Sequence, residues 1–291
     1  MTTRPDLGVV VVHHRSPEPL FDALWRLGAV EQDAVIVLVD TAPDPDVLAE
    51  ARRIVPSLRV VTPTNHSYSH SVNTGFEALA ALEPRYLALM NADVMVEQDT
   101  FTALMAALEA HPDAGIAGPL ALTPAGRPQD LGPLYAVNYR RLRRAADGRV
   151  RVRWLSGCLQ VVRPAVLESV GGYDPAFRFC NEDTEFCLRA AVRGSFASLL
   201  VDTPVIHLGG TSTPSHPAFH VEGRRGGYLL STRFQPPTVR FLHRGFLRAE
   251  AAVGGAFARD PVTKAAHRRM AALIRRGGWD DSPFGATLDD R

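Results

Sequence analysis

Short runs rich in Val, Ile and Leu, each followed by a stretch of helical periodicity, fill the first hundred residues and restrict the chain to an α/β architecture. Leu7 to Val12 and Ala34 to Val39 are apolar along almost their whole length, the pattern of strands buried on both faces. Leu58 to Val61 and Tyr86 to Met90 repeat the pattern more briefly. Between them, Pro19 to Leu27 places Leu20, Leu24 and Leu27 on one helical face, and Val47 to Val55 and Val72 to Leu82 also read as helices. The expectation is a mainly parallel sheet with helices on both sides. In such sheets ligands sit beyond the carboxyl ends of the strands. Asp40, Asn65 and Asp93 follow strand ends, so they are expected to converge.

The middle of the chain is less regular. Residues 119 to 139, rich in Pro and Gly, read as a long loop over the site. Arg140 to Arg153 holds seven arginines and a single acid, Asp147. Trp154 to Val162 returns to strand character, Glu182 to Val192 is helical, and Leu199 to His207 is a strand running into Gly209, Gly210, Thr211 and Ser212. From Pro237 onward the pattern is helical, and the residues after Gly277 read as a frayed tail.

Composition excludes several classes. A net charge of +1 provides no global attraction to nucleic acid. Three cysteines without a CxxC favour a reducing compartment, and the apolar start is too short for a secretory signal core. No run approaches the roughly 18 apolar residues of a membrane span. These observations point to a cytoplasmic protein, with room for peripheral contact at the inner face of a membrane. The sequence lacks GxGxxG, GxxxxGK[ST] and GxSxG, which removes the main support for dehydrogenase, P-loop and serine-hydrolase readings.

The acidic residues carry the chemistry. Asn91-Ala92-Asp93 delivers an amide and a carboxylate to one strand end, suited to Mg²⁺ or Mn²⁺, although Asn and Asp also favour turns for their own hydrogen bonds. His207, closing a later strand, is either a structural hydrogen-bonder or a partner of Asp93 at a metal. Glu182 and Asp183 open a helix with Asn181 as the expected cap, a placement the helix dipole alone would favour. The pair follows a Gly171-Gly172 break and a loop carrying Tyr173, Phe177 and Phe179, a platform suited to a sugar. The arginine run reads first as a solvated face, then as a phosphate or lipid-headgroup contact, and last as a nucleic-acid site. A later amphipathic stretch, Arg268 to Arg276, is compatible with packing on the domain or lying on anionic lipid.

Taken in order, VDTAPD, NHSYSHSVNTGF, ALMNADV, the stretch from Trp154 to Arg189 and VIHLGG resemble the family 2 glycosyltransferases, above all their rhamnosyltransferase-like branch, over roughly residues 7 to 210. The resemblance implies a GT-A fold: a Rossmann-like mixed, mainly parallel sheet flanked by helices, here with a C-terminal helical extension. It implies a nucleoside-diphosphate sugar donor, Mn²⁺ or Mg²⁺, and inversion at the anomeric centre. Residues 1–236 would be the catalytic domain, with a donor half at about 1–118 and an acceptor half at about 154–236, and 237–291 the extension and tail. By resemblance Asp40 contacts the base, Asp93 and His207 hold the metal or diphosphate, and Asp183 is the catalytic base supported by Glu182. Asn73 and Gly75 match a helix start beside the nucleotide, Asn91 belongs to the metal motif, and Arg15 is placed to reach the nucleotide or its phosphate. Two departures stand out: Asn91 replaces the first Asp of a DxD motif, and His13-His14-Arg15 replaces the usual turn after the first strand. The branch suggests dTDP-rhamnose, with UDP- and GDP-sugars open, and a glycan, lipid-linked or small-molecule acceptor. A nucleotidyltransferase and a non-catalytic nucleotide-sugar-binding protein are the rival readings. The first would need a Gly-rich phosphate loop near the first strand, and Val9 to Pro17 has no glycine.

Overall fold

The computed structural model describes residues 4–30, 33–210 and 215–290. Thr211 and Ser212 lie outside them. In chain order the elements are β1 (Leu7–His13), α1 (Pro17–Leu27), β2 (Ala34–Asp40), α2 (Pro45–Ile54), β3 (Arg59–Val61), α3 (Tyr68–Ala80), β4 (Tyr86–Asn91), β5 (Val94–Met95) and α4 (Thr100–Glu109). There follow β6 (Ala114–Leu122), α5 (Pro133–Leu142), β7 (Arg149–Val152), β8 (Leu159–Val162), α6 (Pro164–Val170), α7 (Glu182–Arg193) and β9 (Ala197–His207). Three helices close the chain: α8 (Pro217–Phe234), α9 (Pro237–Phe257) and α10 (Pro261–Arg275).

The strands form one mixed sheet in the order β3-β2-β1-β4-β8-β6-β9-β5, with β7 paired to β9. The run from β3 to β4 is parallel, so the carboxyl ends of β1, β2 and β4 fall on one edge: His13 pairs with Asp40 and Val12 with Asn91. Period-2 alternation splits β1 between two cores. Leu7, Val9 and Val11 join the layer under α1, α2 and α4, while Val10 faces α3, α5, α6 and α7. Burial on both faces explains why these strands are apolar at every position.

Two expectations are overturned. Residues 119 to 139 are not a long loop: they contain the end of β6, nearly all buried, and most of α5. The Gly118-Pro119 signal is an irregularity in the β6–β9 register, where a proline without an N–H is tolerated. Residues beyond Gly277 are not frayed either. Phe284 and Leu288 are buried in a cluster with Ala218, against Phe179 and Phe219. Helix α3 also starts at Tyr68, earlier than the apolar period suggests, because Ser67 Oγ caps it by accepting the His70 N–H at 2.9 Å.

Asn73 on α3 ties that helix to the turn that follows α6. Its Nδ2 donates to the Tyr173 carbonyl and its Oδ1 accepts the Tyr173 N–H, both at 2.8 Å. Gly172 permits the approach, since a Cβ there would lie 2.3 Å from Asn73 Oδ1. Asn73→Ala should therefore lower unfolding free energy by about 1–3 kcal/mol, the usual penalty for stranding buried backbone groups. Gly172→Ala should cost a comparable amount, but much less once Asn73 is Ala. Urea unfolding of the four-member cycle measures this coupling, and strict additivity would refute it.

Candidate active site

A cavity of about 240 Å³ opens at the carboxyl edge of the sheet. Val12, His13 and His14 line it from the end of β1, Asn91 to Asp93 from the end of β4, and His207 from the end of β9. Thr41, Asn65, Tyr68, Ser71, Gly210 and three apolar residues, Phe179, Phe219 and Leu288, complete the wall. The expected convergence of strand-end residues is present for Asn65 and Asp93.

Asp40 stands one layer behind the wall, fully buried. Its Oδ1 accepts the Ala42 N–H at 3.1 Å and lies 3.2 Å from His13 Nδ1. The Ser16 N–H donates to His13 Nε2, which leaves the imidazole proton on Nδ1, facing the carboxylate. Asp40 thus stands beside His13 without a well-aligned hydrogen bond: His13 Nδ1 and Asp40 Oδ2 are both buried with no hydrogen-bond partner. Arg15 adopts a left-handed backbone (φ 57°), and its guanidinium lies 3.3 Å from Asp289 rather than in the cavity wall. Asn73, expected beside the nucleotide, has its amide on Tyr173 and does not line the cavity. Gly75 packs on Val10, where a Cβ would lie 2.3 Å from the valine side chain.

Asp93 and His207 meet directly. His207 Nε2 is 3.3 Å from Asp93 Oδ1, and the Gly209 N–H donates to Asp93 Oδ2 at 3.1 Å. Gln129, which the sequence reading passed over, fixes the imidazole: its Oε1 lies 2.8 Å from His207 Nδ1 and its Nε2 donates to the His207 carbonyl. Nδ1 is then the protonated nitrogen, and the Nε2 lone pair faces a carboxylate. Two lone pairs at that distance repel unless a proton or a cation lies between them, and the polarised tautomer is the one found at metals. The donor set fits a divalent cation. Asn91 Oδ1 accepts the Tyr68 hydroxyl at 2.5 Å.

Neither Glu182 nor Asp183 lines the cavity; the pair lies behind it, linked to its wall through Gly157. Asp183 Oδ2 accepts the Gly157 N–H at 2.8 Å, and the Gly157 carbonyl lies 3.4 Å from the cavity-lining Tyr68 hydroxyl. Cys180 and Asn181 (φ 67° and 68°) turn the chain into α7 in the left-handed region, which costs about 1–2 kcal/mol per residue for ordinary side chains. Asn181 does not cap α7 as expected; its Nδ2 donates to Gly223 on α8 and so holds the strained turn. Burial pushes the Glu182 carboxyl well above the usual carboxylate range, and the Asp183 charge adds to this. Burial raises Asp183 too, but N–H donors from Gly157 and Thr184 pull it back. The environments differ: Glu182 is raised further, by burial and the Asp183 charge, while N–H donors offset part of the rise at Asp183. Glu182 Oε2 is buried without a partner.

Of the expected aromatic platform only Phe179 reaches the cavity. Tyr173 stacks on Phe186 at 4.6 Å in the core, and Phe177 is fully buried. The rim is completed from the C-terminus: the Leu288 N–H donates to the Asn65 carbonyl at 2.8 Å, and Asn65 Nδ2 donates to Asp289 at 3.0 Å. Arg178 donates to the carbonyls of His66, Gly285 and Ala286 at 2.7 to 3.1 Å. None of the arginines of the 140–153 run lines the cavity, and Arg143, Arg149 and Arg151 pair with Asp202, Asp147 and Asp113.

The comparisons agree on family and fold. A model of the family described as "Glycosyltransferase like family 2" matches residues 5–223. A curated relative from Mycobacterium tuberculosis, named N-acetylglucosaminyl-diphospho-decaprenol L-rhamnosyltransferase, is 26% identical over 223 residues, covering 66% of this chain and 72% of its own length. Among solved structures, the mannosyltransferase PcManGT from Pyrobaculum calidifontis, in complex with GDP-Man and Mn²⁺, matches with a TM-score of 0.61 at 17% identity, over 96% of this chain and 89% of its own. Residues 1–349 of S. aureus TarS match with a TM-score of 0.55 at 13% identity, over 94% of this chain and 92% of that one.

The raised carboxyl of Glu182 has a consequence for stability. A carboxyl whose folded pKa lies above its unfolded value contributes stability at low pH that is lost as pH rises. The loss begins near an unfolded pKa of about 4.3 and ends at the raised folded value. Glu182→Gln, permanently neutral, should match wild type in Tm near pH 4 and exceed it increasingly toward pH 8. A Tm difference independent of pH would show that Glu182 is not destabilised by burial.

Proposed function

Because the chain belongs to the glycosyltransferase-like family 2, we propose that it moves a sugar from a nucleoside diphosphate to an acceptor hydroxyl by one inverting displacement, with Asp183 as general base. The observation that carries this reading is the electrostatic split within the acid pair. Asp183 is held by two backbone N–H donors, beside a Glu182 whose carboxyl burial pushes well above the usual range. Environments that push neighbouring carboxyls apart assign their roles. Asp183 accepts the acceptor proton while the acceptor oxygen bonds the anomeric carbon and the bond from that carbon to the diphosphate oxygen breaks. Glu182 supports the turn and orients the acceptor. His13 and Thr41 face the nucleotide, with Asp40 beside the imidazole. Asp93 and His207 would hold Mn²⁺ or Mg²⁺, which neutralises the leaving diphosphate. Residues 1–118 then form the donor half and 154–236 the acceptor half. The curated relative's name favours a rhamnosyl donor, and the branch resemblance makes dTDP-rhamnose the one to test. The family gives the nucleotidyltransferase reading no support.

The acceptor is lipid-linked, as the relative's name states of that protein, and α9 supports this. No helix of the described residues is long and apolar enough to cross a membrane. The outward face of α9 nevertheless carries Phe241, Leu242, Phe246, Val253 and Phe257, exposed by 58 to 79%, and its intervening exposed positions are Gly and Ala. The stripe holds no acid, and the exposed Arg244, Arg248 and Arg259 border it. An apolar face about 24 Å long, from 1.5 Å per residue, with an arginine margin suits an anionic bilayer surface.

Asp183→Asn should reduce transfer by about 10²–10⁴-fold, the usual span for a general base, while nucleotide-sugar binding survives. Asp93→Asn should abolish the response of turnover to Mn²⁺. Near-wild-type turnover in Asp183→Asn would sink the base assignment, and no transfer or hydrolysis of any nucleotide sugar by wild type would favour the non-catalytic reading.

Wild type should co-sediment with phosphatidylglycerol vesicles, and Phe241→Ser/Phe246→Ser should not. Failure of wild type to sediment, or a wild-type dimer in light scattering that the double variant dissociates, would overturn the lipid assignment.

A further inference from the structure

The three C-terminal helices meet around a second set of ligand-type side chains, none of which lines the cavity. His220 comes from α8, Glu250 from α9 and His267 from α10. One ligand atom of each lies within 4.8 Å of the other two. His220 Nε2, Glu250 Oε2 and His267 Nδ1 are all buried without a hydrogen-bond partner. Buried polar atoms are almost always paired, so three orphans converging from three helices ask for a common partner. We propose that His220, Glu250 and His267 form a Zn²⁺ site that ties α8, α9 and α10 together.

Two imidazoles and a carboxylate are an established zinc donor set, with water in the fourth position. Tetrahedral bonds of about 2.0–2.1 Å place ligand atoms roughly 3.3 Å apart, a closure that side-chain rotation can supply. The imidazole rings stand edge-on at 5.0 Å between centroids. The other oxygen of Glu250 is 2.6 Å from Arg224, an outer partner of the kind that orients a metal-binding carboxylate. Gly254 makes room for the site: a Cβ there would lie 2.1 Å from His267 Cδ2, which accounts for a glycine in the last turns of a helix where alanine would be more stable. His267 itself is 6% exposed.

The test uses the full chain carrying Asp93→Asn and His207→Gln, so that the cleft contributes no metal binding. Stripped by chelator and titrated with Zn²⁺, this protein should bind one equivalent by elemental analysis and rise in Tm. Co²⁺ in its place should give the visible absorption of a tetrahedral site. Adding Glu250→Gln or His267→Phe should weaken Zn²⁺ binding about tenfold or more and abolish the Tm response, with Glu250→Gln keeping the apo Tm. Absence of a stoichiometric Zn²⁺, or a Tm rise that persists in either variant, overturns the proposal. The outcome is independent of sugar transfer.

Discussion

Asn73 holds together what the sheet alone would leave apart. Helix α3 and the segment that leads to the acid pair are distant in sequence, and one amide joins them by bonding both polar groups of Tyr173. The contact is close enough that residue 172 has no room for a side chain. Around this point the turn is pinned repeatedly. Arg189 donates to the Gly172 carbonyl at 2.7 Å while pairing with buried Glu185, and Arg225 bonds the Ala176 carbonyl while pairing with fully buried Glu222. Each buried ion pair has its remaining donors spent on backbone carbonyls, the condition under which such pairs are tolerated. The result is a rigid approach to two consecutive left-handed residues and then to Glu182 and Asp183.

That rigidity bears on the chemistry. A carboxylate that is to take a proton must be basic without being protonated already. Burial alone would make both acids neutral, and hydrogen bonds alone would make both weak bases. Here the N–H of Gly157 and of Thr184 stabilise one anion only, and they do so from backbone whose position is set by the sheet and by the start of α7. The strained Asn181 aims the pair and is itself held by α8. Gln129 performs the equivalent service for His207, holding its imidazole with Nε2 toward Asp93.

The strands of the parallel run and the strand-end acids were legible because two-sided burial writes itself as continuous Val, Ile and Leu, and because turns at strand ends concentrate Asn and Asp. The β6 strand was hidden for an equally physical reason: Gly118 and Pro119 mark a bulge inside it, and local punctuation cannot distinguish a bulge from a loop. Asn73 was noticed for its motif, but its role as a structural clamp depends on a residue a hundred positions away. Tyr173 and Phe177 read as a platform by type, although aromatic residues belong in cores as readily as in sites, and tertiary packing decided between the two. Gln129 and Asp289 carried no local signal at all.

The least legible part of the site is also the part outside the family's span. The family match ends at residue 223, whereas Leu288 lines the cavity and Asp289 lies against His14, Arg15 and Asn65. The shared core therefore supplies the sheet edge, the acid pair and the Asp93–His207 pair, and the C-terminal segment supplies the rim. Phe219 and Phe284 meet at 5.1 Å to carry α8 into that rim, while Ser282 Oγ donates to buried Glu222 at 3.2 Å. Glu222 belongs to the Arg225 pair that also holds the Ala176 turn, so the rim and the approach to the acid pair share a buried anchor. The seating of the tail thus bears on the cavity mouth through Leu288 and on the turn before the acid pair through Glu222. The C-terminal segment links the cavity mouth to the acid pair through side-chain contacts outside the sheet.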